Sequence, residues 1–308
     1  MRVAVVDLGT NSTRLLVADV DAGRVSEVDR RTDVTRLGDG VDASGRLADT
    51  AMERVFSTLA GYREAIDGHR AERVVAVATS AVRDAANGED FRAELRERFG
   101  IDARTISGEE EARLTFLGAT SGRASEDQHV LVHDIGGGST EFVIGRPGHE
   151  PGFHVSTQAG SVRQTERHLA SDPPAPDEVA ALADEIRTIV NGAVPARLRD
   201  ETAAGIAVAG TATSLAAIDQ RLAPYDPERV HGYRLELAAC ERMLAMLAAL
   251  PLAERREVTG LHPDRAPTIV AGAVILVESM RAFGLDAVEV SEADILHGAA
   301  LDAAFRGA

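Results

Sequence analysis

Val5-Val-Asp-Leu-Gly-Thr-Asn-Ser-Thr-Arg-Leu-Leu-Val17 recurs, without a gap, as Val132-His-Asp-Ile-Gly-Gly-Gly-Ser-Thr-Glu-Phe-Val-Ile144. Asp7, Gly9, Ser12 and Thr13 fall on Asp134, Gly136, Ser139 and Thr140, each 127 residues further on. Each copy reads as an apolar strand, a tight glycine-bearing turn and a second apolar strand, which is a β-hairpin. A third strand is expected after each, near residues 24–31 and 152–157. Turn geometry alone does not require the same Asp-x-Gly-x-x-Ser-Thr twice, so the repeat points to a duplicated functional loop.

Outside the hairpins, helix and strand patterns alternate. In the first half the spacing predicts helices over 47–66 and 90–99, the latter closed by Gly100, with strands over 74–78 and 101–106. Ser107 and Glu110 have capping-box spacing and open a helix running to about Thr120. In the second half helices are predicted over 177–199, 211–222, 235–250, 265–283 and 293–305, with strands over 205–209 and 287–290. The fold class is therefore α/β, with a hairpin-led domain over residues 1–120 and another over 121–293. The final helix, about 294–308, is a candidate to pack back on the first. The expectation is of an interdomain cleft in which both glycine turns aim backbone N–H groups at one phosphate chain.

Composition narrows the chemistry. The chain has 308 residues, and all 33 basic residues are arginine. Without lysine there is no P-loop, no protein-kinase strand lysine and no Schiff-base chemistry. A formal charge of −16 argues against broad nucleic-acid binding, so no nucleic-acid partner is expected. Any polyanion must instead find arginines and backbone N–H groups gathered locally. Cys240 is the one cysteine, which excludes an internal disulfide and a cysteine metal cage. No apolar run approaches the roughly 20 residues of a membrane span. Asp7 interrupts what would be a signal-peptide apolar stretch, so a cytoplasmic location without membrane association is expected. The nine histidines show no zinc spacing.

Seven segments, in order, resemble the exopolyphosphatase and guanosine-pentaphosphate phosphatase (Ppx/GppA) family. They are Asp7-Leu-Gly-Thr-Asn-Ser-Thr-Arg-Leu15, Ala78-Thr-Ser-Ala-Val-Arg-Asp84, Ile106-Ser-Gly-Glu-Glu-Glu-Ala-Arg-Leu114 and Asp134-Ile-Gly-Gly-Gly-Ser-Thr-Glu141. Gly160-Ser-Val-Arg163, Ala209-Gly-Thr-Ala-Thr-Ser-Leu215 and Gly260-Leu-His-Pro-Asp-Arg265 complete the set. The resemblance implies two duplicated ribonuclease-H-like domains of the actin-like ATPase and sugar-kinase superfamily. The length is similar to the short, two-domain members.

The same resemblance implies a hydrolase that removes terminal phosphates from inorganic polyphosphate, or from guanosine pentaphosphate or a nucleoside triphosphate. Such chemistry needs positioning, charge neutralisation and a group that orients the attacking water. Glu111, in the first turn of its helix, matches the family's catalytic glutamate, while Glu109 and Glu110 read as first-turn acids favoured by the helix dipole. Mg²⁺, with Mn²⁺ as a substitute, takes one or two carboxylates plus phosphate oxygens. Asp134 and Glu141 suit that demand; Asp7 is a further metal candidate, equally well read as a turn residue. Phosphate contacts are expected from Thr10, Asn11 and Ser12 on one side and from Gly136, Gly137, Gly138, Ser139 and Thr140 on the other. Arg83 and Arg265 match phosphate-contacting positions of the family.

Arg14 and Arg163 lie inside motifs but are equally readable as partners of acids. Gln164 and Pro267 depart from the family pattern, and the latter puts the role of Arg265 in question. A sugar kinase, an actin-like ATPase and a non-catalytic polyphosphate or alarmone sensor are the rival readings. A homodimer is compatible with the family but specified by no pattern in the chain.

Overall fold

The computed structural model describes residues 1–123 and 128–305. The chain divides into two compact units. One holds Met1–Arg123 and the chain from Ala293 onward; the other is the stretch between them, up to Glu292.

The first unit runs β1 (Arg2–Leu8), β2 (Thr13–Asp21), β3 (Arg24–Asp33), α1 (Val41–Ser44), α2 (Asp49–Gly68), β4 (Arg73–Ala78), α3 (Ser80–Asp84), α4 (Gly88–Phe99), β5 (Ala103–Thr105) and α5 (Gly108–Ala119). Its sheet has the order β3-β2-β1-β4-β5. β1 and β2 pair antiparallel, as do β2 and β3, whereas β1–β4 and β4–β5 are parallel. β1 is central, and its alternating side chains serve two cores. Ala4, Val6 and Leu8 pack with Val55 and Leu59 of α2 and Leu95 of α4, while Val3 and Val5 face Leu114 of α5. Burial on both faces explains why β1 reads as a near-continuous apolar run. β3, the edge strand, is charged and largely exposed, which discourages pairing with a foreign strand.

The second unit runs β6 (Val130–Ile135), β7 (Thr140–Gly145), β8 (Phe153–Thr157), α6 (Ser161–His168), α7 (Pro176–Ala193), α8 (Ala196–Asp200), β9 (Ala204–Val208), α9 (Ala209–Asp219), α10 (Pro227–Val230), β10 (Arg234–Glu236), α11 (Leu237–Ala249), α12 (Leu252–Arg255), a 3₁₀ turn (Pro263–Arg265), α13 (Ile269–Phe283) and β11 (Ala287–Val290). Its sheet order is β10-β11-β9-β6-β7-β8. β8-β7-β6-β9-β11 repeats the order and directions of β3-β2-β1-β4-β5. Both units are ribonuclease-H-like, and the second adds β10 antiparallel to β11. α13 is its central helix, buried along nearly its whole length. Glu278 on it is buried but ion-paired with Arg187 and Arg281.

The chain then returns to the first unit as α14 (Ile295–Phe305). α14 crosses α5 with almost no space between the backbones. A Cβ on Gly298 would lie 1.8 Å from Leu114 O, and one on Gly118 would lie 1.9 Å from Asp294 O.

Four expectations are corrected. The helix expected over 177–199 is two, because Pro195 sits extended between α7 and α8 and has no N–H to continue the first. The helix expected from 265 starts only at Ile269, after the Pro263–Arg265 turn and Pro267. Residues 235 and 236 of the helix expected over 235–250 belong to β10 instead. The capping box is half formed: Ser107 Oγ accepts from Glu110 N at 3.1 Å, while the Glu110 carboxylate turns to Arg104.

His133 is buried, stacks on Phe142 with ring centroids 4.8 Å apart, and has no partner at Nε2. Burial depresses its pKa to about 3. An unfolded histidine takes up its proton near pH 6.5, so between about pH 6.5 and 3 the unfolded chain binds a proton that the folded one refuses. Stability contributed by neutral His133 is therefore complete above that window and lost as pH falls through it, by up to ~1.4 kcal/mol per pH unit. Equilibrium denaturation across pH 7 to 4 should show this slope, reduced in His133→Leu. At the helix crossing, Gly298→Ala meets backbone, and a destabilisation of roughly 3 kcal/mol is expected in the same measurement.

Candidate active site

The two repeated turns are built alike. In each, the first glycine N–H donates to the serine carbonyl three residues on: Gly9 to Ser12 and Gly136 to Ser139, both at 3.0 Å. The carbonyls between are latched from behind. In the first turn Thr10 O accepts from Gly38 N at 2.8 Å and Asn11 O from Arg36 N at 2.9 Å. In the second, Gly136 O accepts from Ser161 N and Gly137 O from Val162 N, both at the start of α6. Gly138 O takes Arg163 Nε at 2.9 Å. A trans peptide points its C=O and N–H in opposite directions. The N–H groups of Asn11 and Ser12 thus face away from the 36–38 segment, and those of Gly137, Gly138 and Ser139 face away from α6. Successive N–H groups turned to one side make an anion-binding concavity.

The expected phosphate-binding side chains divide by position. Thr10, Asn11 and Ser139 lie on the turns, largely buried, and Ser12 is partly exposed. Thr140 is fully buried and its hydroxyl donates to Ala159 O at 2.6 Å. Its hydroxyl therefore ties the loop to the following segment.

The duplication also places unlike residues at like positions. Antiparallel register sets Asp7 opposite Arg14 on β1 and β2, and sets Asp134 opposite Glu141 on β6 and β7. Directly opposed residues share a face of the sheet. In the first unit that pair is an ion pair. Arg14 Nε and Nη2 both donate to Asp7 Oδ2, at 2.9 and 2.7 Å, and Nη1 reaches Asp294. Asp7 Oδ1 is buried with no hydrogen-bond partner. Burial raises the Asp7 pKa, opposed by Arg14. At Asp294 burial also acts upward, but Arg14, Arg30 and His297 together hold that carboxyl below its usual range.

In the second unit the opposed pair is two acids. Asp134 is 7% exposed and Glu141 1%, and Glu141 accepts from Ser156 Oγ at 2.7 Å. The register thus sets two buried carboxylates side by side, a donor set able to hold a cation. Among the described residues no three His, Cys, Asp or Glu side chains gather as a metal-binding group. A two-carboxylate site is what Mg²⁺ accepts, because it keeps water and takes phosphate oxygens for the rest.

Glu111 lies in the first turn of α5, 7% exposed. Arg83, at the end of α3, donates to Glu111 Oε2 at 2.9 Å and to Ile106 O at 3.0 Å. The expected general base and one expected phosphate ligand are thus direct partners. Arg265 ends the 3₁₀ turn, with its guanidinium over Gly210. Asp294 was not anticipated. Before an apolar helix it reads as a cap, and it does accept from Leu296 N at 3.0 Å; its pairing with Arg14 spans 280 residues, which no local pattern encodes. Cys240 is buried, its thiol pushed up to about 12 by desolvation.

Arg14→Met would leave Asp7 and Asp294 buried without their shared cation. The expected loss is about 3–5 kcal/mol by chemical denaturation, and adding Asp7→Asn to the same chain should recover part of it.

The sequence profile of the Ppx/GppA phosphatase family matches residues 16–305. Exopolyphosphatase 2 of Mycobacterium tuberculosis is 39% identical, over 98% of this chain and 98% of its own. Exopolyphosphatase 1 of the same species is 32% identical, over 94% of this chain and 84% of its own. Among solved structures, the Aquifex aeolicus Ppx/GppA family member superposes with a TM-score of 0.83 at 30% identity, covering 100% of this chain and 98% of that one. An exopolyphosphatase from Cytophaga hutchinsonii gives 0.90 at 27% identity, with 98% of each chain covered. The hairpin repeat, the latched glycine turns and these matches along nearly the whole chain agree: the protein belongs to the Ppx/GppA phosphatase family.

Proposed function

We propose that this protein is an exopolyphosphatase that hydrolyses the terminal phosphoanhydride of inorganic polyphosphate, with Mg²⁺ and with Glu111 as general base. The observation that carries this reading is the Asp134–Glu141 acid pair beside a glycine turn whose N–H groups face one way. Two opposed acids adjoining a turn of aligned N–H groups suit a metal-bound phosphate chain. In the other unit the corresponding positions hold Asp7 and Arg14, already neutralised against each other.

Asp134 and Glu141 would hold the metal, with Mn²⁺ as a substitute, while Asp7 is ion-paired with Arg14 in its own unit. Bound there, Mg²⁺ supplies charge neutralisation for the phosphate oxygens. The N–H groups of Gly137, Gly138 and Ser139, and of Asn11 and Ser12, bind phosphate oxygens without a charged side chain. Arg83 holds one oxygen of Glu111 and so fixes the direction of the carboxylate. That carboxylate orients a water and takes its proton as the water oxygen bonds to the terminal phosphorus. The bridging P–O bond breaks, and the shortened chain leaves with the bridging oxygen. Guanosine pentaphosphate presents the same terminal linkage and is the second substrate to test, followed by nucleoside triphosphates. No described helix is long and apolar enough to cross a membrane, and the proposed setting is the cytoplasm.

Phosphate release from polyphosphate of defined length, with guanosine pentaphosphate and ATP alongside, tests the reading. Release should stop with EDTA and return with Mg²⁺ or Mn²⁺. Glu111→Gln should lower kcat at least about 100-fold, whereas Glu110→Gln, which touches only the Arg104 pair, should stay near wild type. Tight binding of polyphosphate without release from any substrate would replace the enzyme by a sensor.

A further inference from the structure

β9 passes into α9 through Ala209 and Gly210, and the two residues stand in an unexpected order. Ala209 has φ +63°, a left-handed conformation that favours glycine. Gly210 lies outside that region and inside a helix, where alanine is the better helix former. The backbone therefore gives no reason for glycine at 210.

The reason lies in what occupies the space. A Cβ on Gly210 would fall 1.7 Å from Nη1, 2.0 Å from Cζ and 2.4 Å from Nη2 of Arg265. Three guanidinium atoms at such similar distances mean that the group lies flat across the bare face of the glycine. The backbone around Arg265 is held separately. Arg265 N donates to His262 O at 2.9 Å, and Thr268 N donates to Arg265 O at 3.1 Å. Arg255, 3% exposed, donates to Ala266 O at 3.2 Å, to Leu247 O at 3.0 Å and to Leu250 O at 2.8 Å. With the main chain pinned, the long side chain still has several torsions to settle, and Gly210 supplies the surface on which they settle.

We infer that Gly210 is a positioning residue for Arg265: the missing side chain at 210 is the seat that sets where the guanidinium meets the phosphate chain. This rests on the reading of Arg265 as a phosphate contact. It also gives Arg265 a fixed orientation despite Pro267, by contact with α9.

Four proteins test it: wild type, Gly210→Ala, Arg265→Met and the double variant. Each is assayed for polyphosphate turnover and, by calorimetry, for tripolyphosphate binding. Arg265→Met should raise KM roughly 10-fold or more, as for loss of a charge-assisted hydrogen bond, with a smaller change in kcat. Gly210→Ala should reproduce that KM rise, because its Cβ displaces the end of a flexible side chain, with an unfolding midpoint no lower than wild type. The double variant should be no worse than Arg265→Met, since coupled residues are non-additive. Additive losses, or a Gly210→Ala protein that behaves as wild type while Arg265→Met is weak, would overturn the seat. Arg265→Met indistinguishable from wild type in both assays would overturn it too, by removing its object. Absence of turnover in wild type would count against the exopolyphosphatase reading alone, and the binding series would then decide the seat.

Discussion

Across an antiparallel hairpin, hydrogen-bond register decides which side chains stand opposite one another, and the chemistry of this protein depends on that constraint. β1 with β2 and β6 with β7 keep the same register around the same turn. One opposed pair is Asp7 with Arg14, the other Asp134 with Glu141. A duplicated scaffold thereby carries a neutralised site and an acidic site in the same structural position. In the neutralised pair the arginine also binds Asp294 and so connects the first hairpin to the start of the last helix. The acidic pair is the one proposed to hold the metal.

The turns depend on the same economy of backbone bonding. Their carbonyls are engaged by the 36–38 segment in one unit and by the first turn of α6 in the other. Peptide planarity then turns the N–H groups the opposite way without help from side chains. This is how a chain with no lysine and a strongly negative charge can present donors to a polyanion. Arginine is used sparingly beside it: Arg83 orients Glu111, and Arg265 lies against α9.

Close helix contact governs the remaining placement. α5 carries Glu111, and it meets α14 where Gly118 and Gly298 let two backbones touch. The end of the chain therefore supports the helix that bears the proposed base, and Asp294 at the start of α14 reaches the first turn through Arg14. No helix periodicity announces such a contact, because a glycine in an apolar helix looks the same whether it faces a backbone or a void.

The sequence by itself determined the hairpins, their duplication, the α/β alternation and the identity of the glycine turns, since these rest on local periods and on residues a few positions apart. It also placed Glu111 in the first turn of a helix capped by Ser107. Local reading failed where a proline or a neighbouring strand intervened. Pro195 divided one expected helix, the turn at Pro263–Arg265 delayed α13, and pairing with β11 drew residues 234–236 into β10. Tertiary structure alone decided the partners of the charged groups: Arg14 with Asp294, Arg83 with Glu111, and Arg265 over Gly210. Those distances are set by packing between segments from tens of residues to 280 residues apart, and a charge seeks whichever opposite charge or bare surface the fold brings to it.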